Sequence, residues 1–292
     1  MKVLITGING LLGKDIGKVF SEIEEYEVYG VGRAACLNPK INYRKVELTQ
    51  ENELRNVLDE INPEMIIHCA AYTKLDDCEK NQEYAWCMNV KVTEWLAGCT
   101  DKIVYISSDA VFSGDKGSYH EDDASDAINY YGFTKFQGEK AALHNKKALI
   151  IRSSIYGFNT NENQSIAEWG ARNLIAHQSI NGFTDVIFNP LYSLQLAQIL
   201  VKLAETDAQG VFHLGAKTTV SKYNFFRLLA KELQVDEELV KPMSVDAFDF
   251  KAKRTKDTSL NIEKISMVLD EHNDLIVGMK QLVKDMRDYK RL

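Results

Sequence analysis

Met1-Lys-Val-Leu-Ile-Thr-Gly7-Ile-Asn9-Gly10-Leu11-Leu12-Gly13 opens the chain, and the reading of everything after it depends on this stretch. Val3, Leu4 and Ile5 make an apolar run that is too short for a helix and suits a central parallel strand. Leu11, Leu12, Ile16 and Val19 then recur at helical spacing, so the glycines fall at a strand-to-helix junction. There Gly7 permits a tight turn, Gly10 lets backbone N–H groups approach phosphate oxygens, and Gly13 lets helix and strand pack closely, while the helix N-terminus favours an anion. The implied ligand is a dinucleotide, held by this loop with Asn9, Leu11 and Leu12 included.

The spacing of Gly7, Gly10 and Gly13 resembles the T-G-x-x-G-x-x-G pattern of the short-chain dehydrogenase/reductase superfamily, here Thr6 to Gly13. That resemblance implies a second signature, a Tyr and a Lys four residues apart with a Ser or Thr upstream, and both are present. Ser107-Ser108-Asp109 follows the apolar run Ile103 to Ile106, and Tyr131-Gly-Phe-Thr-Lys135 opens a helical pattern that continues through Glu139 and Ala142. A phenol with an ordinary pKa of about 10 needs a nearby cation to stabilise its phenolate near neutral pH. Residues at i and i+4 share a helix face, so Lys135 is placed to serve Tyr131, whereas Tyr130 points elsewhere. Tyr131 is the expected proton donor. By resemblance, Lys135 also binds the nicotinamide ribose and the Ser108 hydroxyl orients the substrate carbonyl.

The 292 residues are 45% hydrophobic, enough to bury a full core. A net charge of −7 argues against nucleic-acid binding, which relies on clustered Lys and Arg. No run approaches the roughly 18 apolar residues of a membrane span, and Met1 leads straight into the first strand with no room for a signal peptide, so the cytoplasm is the expected location. Five cysteines, Cys36, Cys69, Cys78, Cys87 and Cys99, include no C-x-x-C pair and read as reduced, packed thiols. The six histidines are scattered and none is assigned to a metal. No oligomeric interface can be read from the sequence, and a homodimer is left open.

Strands and helices alternate at the period of βαβ units. Strands are expected at Val28 to Val31, Met65 to Cys69, Ile103 to Ile106 and Ala148 to Arg152. Helices are expected at Leu54 to Ile61, Ala85 to Gly98, Tyr131 to Leu143, and Val277 to Leu292 with Lys280, Lys284 and Arg287 on a solvated face. This is an α/β doubly wound parallel (Rossmann) sheet, whose ligands bind beyond the carboxyl ends of its strands. Where the second strand ends, an Asp or Glu would bond a ribose 2′-hydroxyl, but the chain has Gly32-Arg33-Ala34. Arg33 offers a guanidinium fork to a 2′-phosphate, so NADP (as NADPH) is preferred, with NAD possible.

Ile66-Ile-His68-Cys69-Ala70-Ala71-Tyr-Thr73-Lys-Leu-Asp76-Asp-Cys78-Glu79, then Asn89-Val90 and Thr93-Glu-Trp-Leu96, narrow the resemblance to the dTDP-4-dehydrorhamnose reductase family. The similarity continues through Ile151-Arg152 to Gly157, Asn189-Pro190, Val211 to Gly215, and Arg254 ahead of Ser259-Leu260-Asn261. It implies reduction of the keto group of a nucleoside-diphosphate sugar with NAD(P)H. It also implies a dinucleotide domain at 1–157 and 187–216 and a smaller C-terminal substrate lobe at 158–186 and 217–292. Glu47, with Leu48 beside it, resembles the acidic position that reads adenine; Cys69, Ala70 and Ala71 resemble the small-residue strand end under the cofactor, and Asn89 joins that set.

On the same resemblance Thr73, Asp109, Ala110, Ile155 and Arg254 border the substrate. Ala110 and Ile155 stand where the family carries aromatic residues, which changes the shape of the sugar pocket. The polar stretch Asn159 to Gln164 is expected at a mobile edge of that pocket, and the basic stretch Lys251 to Lys256 near a diphosphate. Three other readings share the fold: an NADP-binding regulatory subunit like the beta subunit of methionine adenosyltransferase, a cofactor-sensing regulator, and a nucleotide-sugar epimerase or dehydratase. Asp109-Ala110 after Ser108, where dehydratases place Asp-Glu, counts against dehydration.

Overall fold

The structure is a computed structural model and describes residues 1–36, 38–159, 165–268 and 273–292. Its centre is a seven-stranded parallel sheet of β1 (Lys2–Thr6), β2 (Glu27–Gly32), β3 (Asn42–Lys45), β4 (Met65–His68), β5 (Lys102–Ile106), β6 (Leu149–Ser153) and β7 (Gly210–Leu214), in the spatial order β7-β6-β5-β4-β1-β2-β3. The order reverses between β1 and β4, and at such a switch point the crevice beyond the strand ends is open to a ligand. Thr6 pairs with both Val31 and His68, and His68 with Tyr105, so these carboxyl ends finish level.

Each central strand is apolar on both faces because both faces are covered. Val3, Ile5, Ile67, Val104 and Ile151 point into one core with Ile16 and Phe20 of helix Gly13–Phe20 and Leu196, Leu200 and Leu203 of helix Ser193–Ala204. Leu4, Ile66, Ile103, Tyr105 and Ile150 point into the other, against Leu54 and Leu58 of helix Glu51–Ile61 and Val92 and Leu96 of helix Val92–Ala97. Between β6 and β7, and after β7, the chain builds smaller pairs. Ile180–Phe183 runs parallel to Val240–Met243, and Ile187–Phe188 antiparallel to Val220–Ser221. Helices Ile166–Ile175, Lys222–Leu233 and Leu275–Asp288 close this region.

Two elements differ from the sequence expectation. The helix expected from Ala85 to Gly98 starts at Gln82 and passes through a π-helical turn at Cys87–Lys91, which turns Asn89 inward. β3 gives no apolar signal, because it is an edge strand with Asn42 and Lys45 exposed. Of the stretch Asn159 to Gln164, residues 160–164 lie outside the described residues. Among the described residues no helix is long and apolar enough to cross a membrane.

Candidate active site

The glycine turn leaves β1 with Gly7 at φ +66°, and a Cβ there would meet the Ala70 backbone at 2.9 Å. A Cβ on Gly13 would come within 2.2 Å of the Gly7 carbonyl oxygen. Both positions demand glycine, the first for conformation and close approach, the second for space. The Gly7 N–H donates to the Val31 carbonyl at 3.1 Å and the Gly10 N–H to the Gly7 carbonyl at 2.8 Å. Among the described residues, the next N–H groups, of Leu11 and Leu12, donate to nothing. Gly10 is exposed, Leu12 and Gly13 are buried, and the Asn9 amide ties the turn to the Ala34 carbonyl at 2.5 Å. The cradle therefore fits a pyrophosphate, with unused donors at a helix start.

Arg33 is exposed directly beyond β2. Glu47 accepts from the Thr49 hydroxyl at 3.0 Å, and Leu48 is buried beside it. Cys69, Ala70 and Ala71 follow β4 half-buried, Ala70 donating its N–H to Thr6 Oγ1 at 3.2 Å. Asn89 is 1% exposed and its amide is fully engaged: Oδ1 accepts from the Tyr72 N–H at 2.8 Å, and Nδ2 donates to the Tyr72 carbonyl at 3.1 Å and to Thr134 Oγ1 at 2.9 Å. Asn89 thus fastens the segment after β4 to the helix that carries the Tyr/Lys pair.

That helix, Tyr130–Ala142, is started by Asn129, whose Oδ1 accepts from the Gly132 N–H at 2.9 Å, and by Glu79, which accepts from the Tyr130 N–H at 2.8 Å. Ser108 ends the strand connection and caps a short turn, its Oγ accepting from the Ala110 N–H at 3.1 Å and donating to Asp109 Oδ1 at 3.0 Å. A Cβ on Gly132 would fall 2.0 Å from the Ala110 carbonyl oxygen, so helix and serine turn touch through backbone alone. This contact places Tyr131 beside Ser108. Burial of the Tyr131 hydroxyl pushes its pKa up, against a lowering by the neighbouring Ser108 hydroxyl, and Asp109 adds to the rise.

Lys135 is 2% exposed. Its Nζ donates to the Ile106 carbonyl at 2.7 Å and sits 4.0 Å from the centroid of the Tyr105 ring. Burial brings its pKa down to about 7, with Glu139 and Cys69 pulling the other way. His68 is held neutral, its pKa lowered to about 3 by burial and by Lys135, with Nδ1 bonded to Thr6 Oγ1 at 2.6 Å. Gly7 abuts Ala70, Lys135 acts on His68 and Cys69, and Tyr131 lies beside Ser108, so these groups gather at the carboxyl ends of β1, β4 and β5.

On the far side, Asp109 Oδ2 accepts from Thr258 Oγ1 at 2.8 Å, and burial raises its carboxyl pKa. Arg254 forks onto Asp76 at 2.9 Å and stacks 4.2 Å from the centroid of Phe250, while the Ala252 N–H reaches Asp76 at 2.8 Å. These bonds, the Ala252 N–H foremost, hold the Asp76 carboxyl below its usual range. Asn129 Nδ2 donates to the Lys253 carbonyl at 3.1 Å, so the basic stretch is docked against the start of the helix that carries the Tyr/Lys pair. Ala110 and Ile155 are half-buried and Thr73 is exposed. Sequence reasoning missed Glu139, Arg152 and Thr258. Glu139 alone carried a local signal, lying four residues after Lys135.

The model of the RmlD substrate binding domain matches residues 1–287. The chain belongs to this family. It is 28% identical over 282 residues to dTDP-4-dehydrorhamnose reductase of Aggregatibacter actinomycetemcomitans, covering 90% of the chain and 92% of the relative. It is 29% identical over 259 residues to methionine adenosyltransferase 2 subunit beta of Xenopus tropicalis, covering 83% and 75%. A solved dTDP-4-dehydrorhamnose reductase of Bacillus anthracis in complex with NADP superposes with a TM-score of 0.84 at 27% identity, covering 97% of this chain and 99% of that one.

Proposed function

We propose that the protein is an NAD(P)H-dependent reductase of the keto group of a nucleoside-diphosphate sugar, with NADP preferred. The observation that carries this reading is the convergence of Ser108, Tyr131 and Lys135 on the strand ends facing a glycine turn with unused N–H donors. The relatives in the dTDP-4-dehydrorhamnose reductase family and the NADP-bound neighbour support it. Gly7, Gly10, Leu11, Leu12 and Gly13 would hold the pyrophosphate, Arg33 the 2′-phosphate, and the Cys69 to Ala71 segment the nicotinamide side. When bound, the cofactor supplies hydride to the carbonyl carbon.

The chain's own groups supply the rest. Ser108 Oγ holds the ketone oxygen, and Tyr131, kept in its neutral phenol form by burial, gives that oxygen a proton. Lys135, charged below a pH of about 7, stabilises the phenolate left behind. Asp109 and Ala110 border the sugar with Thr73 and Ile155, and Arg254 meets the diphosphate. In this reading residues 1–157 and 187–216 form the dinucleotide domain and 158–186 with 217–292 the substrate lobe. Among the described residues the cysteines are all free, which fits a reducing cytoplasm.

The deciding experiment is NADPH oxidation against dTDP-, UDP-, GDP- and CDP-linked 4-keto sugars. Turnover with one nucleotide class is the expected result. Tight NADPH binding with no turnover of any would favour a regulatory subunit, the reading for which the methionine adenosyltransferase relative speaks.

A further inference from the structure

Beneath the Tyr/Lys pair lies a buried ionic network that the reduction itself does not account for. Glu139 is 2% exposed and sits one helical turn beyond Lys135, so Tyr131, Lys135 and Glu139 share a helix face. Its Oε1 accepts from Ser107 Oγ at 2.5 Å and from Arg152 Nε at 2.9 Å; its Oε2 accepts from Arg152 Nη2 at 2.8 Å. Arg152, 3% exposed on β6, spends its remaining nitrogen on the Glu121 carbonyl at 3.2 Å and on His213 Nε2 of the neighbouring β7 at 3.4 Å. Two opposite charges taken out of water are expensive unless paired and fully hydrogen-bonded, and a hydrophobic pair could fill the space at less cost. Among the described residues, a single side chain links the network by hydrogen bonds towards the site. It is Ser107, the residue before Ser108.

We propose that Glu139, clamped by Arg152, is a positioning residue for the reduction: its carboxylate holds Ser107, and so the strand end that presents Ser108, and supplies the negative charge that keeps Lys135 an ammonium. The groups facing the Lys135 amine are Glu139 on its own helix, His68 and Cys69 from the end of β4, and Tyr105 with the Ile106 carbonyl from β5. His68 is uncharged and Cys69 is kept a thiol by burial. Glu139, ion-paired to Arg152, is the carboxylate among them.

The inference rests on the reductase reading, and its test is separable from it. NMR of the 15N-labelled Lys135 amino group, assigned with Lys135→Arg, follows the titration with no substrate present. Glu139→Gln is expected to lower the Lys135 midpoint by about one pH unit, roughly tenfold in proton affinity. An unchanged midpoint in folded Glu139→Gln would overturn the electrostatic role. Ser107→Ala keeps the ion pair and is the second variant, needed if Glu139→Gln does not fold. It is expected to lower kcat several-fold on the sugar the wild type reduces, with the Lys135 midpoint and NADPH affinity unchanged. Wild-type kcat in Ser107→Ala would overturn the positioning role. A wild type that reduces no sugar would defeat the functional reading and leave the NMR result standing by itself.

Discussion

The Lys135 ammonium lies 4.0 Å above the centre of the Tyr105 ring, with its nearest oxygen the Ile106 carbonyl at 2.7 Å. A buried cation there is met by a π face, one peptide dipole and the Glu139 carboxylate one helical turn on, which only partly replace lost hydration. Folding depresses this pKa from 10.5 to about 7, so between those values the unfolded chain binds the extra proton and stability rises with pH. Below about pH 7 the folded protein carries the full cost of the buried charge. Lys135→Met should therefore raise Tm at neutral pH by a few degrees while abolishing most turnover, a trade between stability and activity. Differential scanning calorimetry and NADPH oxidation check both halves. In the wild type the rate should fall as pH rises through about 7, and a flat profile from pH 6 to 9 would exclude an ammonium requirement.

Tyr131→Phe removes the proposed proton donor and leaves the ring that packs beside Ser108. Loss of a positioned acid costs roughly 10²- to 10⁴-fold in kcat. NADPH affinity, followed by the blue shift and enhancement of its fluorescence, should change little. A variant with wild-type kcat would remove Tyr131 from the chemistry.

Gly13→Ala tests the turn. The new methyl would stand 2.2 Å from the Gly7 carbonyl oxygen, which is backbone and cannot rotate away. Destabilisation of about 1–3 kcal/mol in urea unfolding is expected for overpacking of this kind, with NADPH binding lost more completely than stability.

Arg33→Ala addresses cofactor choice. A hydrogen bond to a charged group is worth about 1.5–3 kcal/mol, which is roughly ten- to a hundredfold in affinity. NADPH affinity should fall by that factor and NADH affinity should not. Equal losses for both would place Arg33 away from the 2′-phosphate.

Where local pattern and tertiary demand coincide, the sequence is readable. Val3 to Ile5 is apolar because both faces of β1 are covered, and Gly7 and Gly13 are glycine because backbone atoms crowd the places a Cβ would occupy. Tyr131 and Lys135 announce themselves by helical spacing. What was hidden depends on residues that different elements bring together. Arg152 meets Glu139 from another element, Thr258 reaches Asp109 across 149 positions, and Arg254 reaches Asp76 across 178. β3 was hidden for a different reason, since an edge strand with polar residues outward carries no apolar signature. The inward turn of Asn89 depends on a π-helical turn, which spacing rules built on 3.6 residues cannot anticipate.

The last sheet strand, β7, pairs along its whole length with β6, yet 56 residues separate Ser153 from Gly210. On the ribosome, β6 must wait for that pairing with its edge bare, and Arg152 must wait for His213. Nascent chains stopped before residue 210 should thus emerge sticky and chaperone-dependent, and a gene cut back to its first half should give inclusion bodies instead of a small cofactor-binding module.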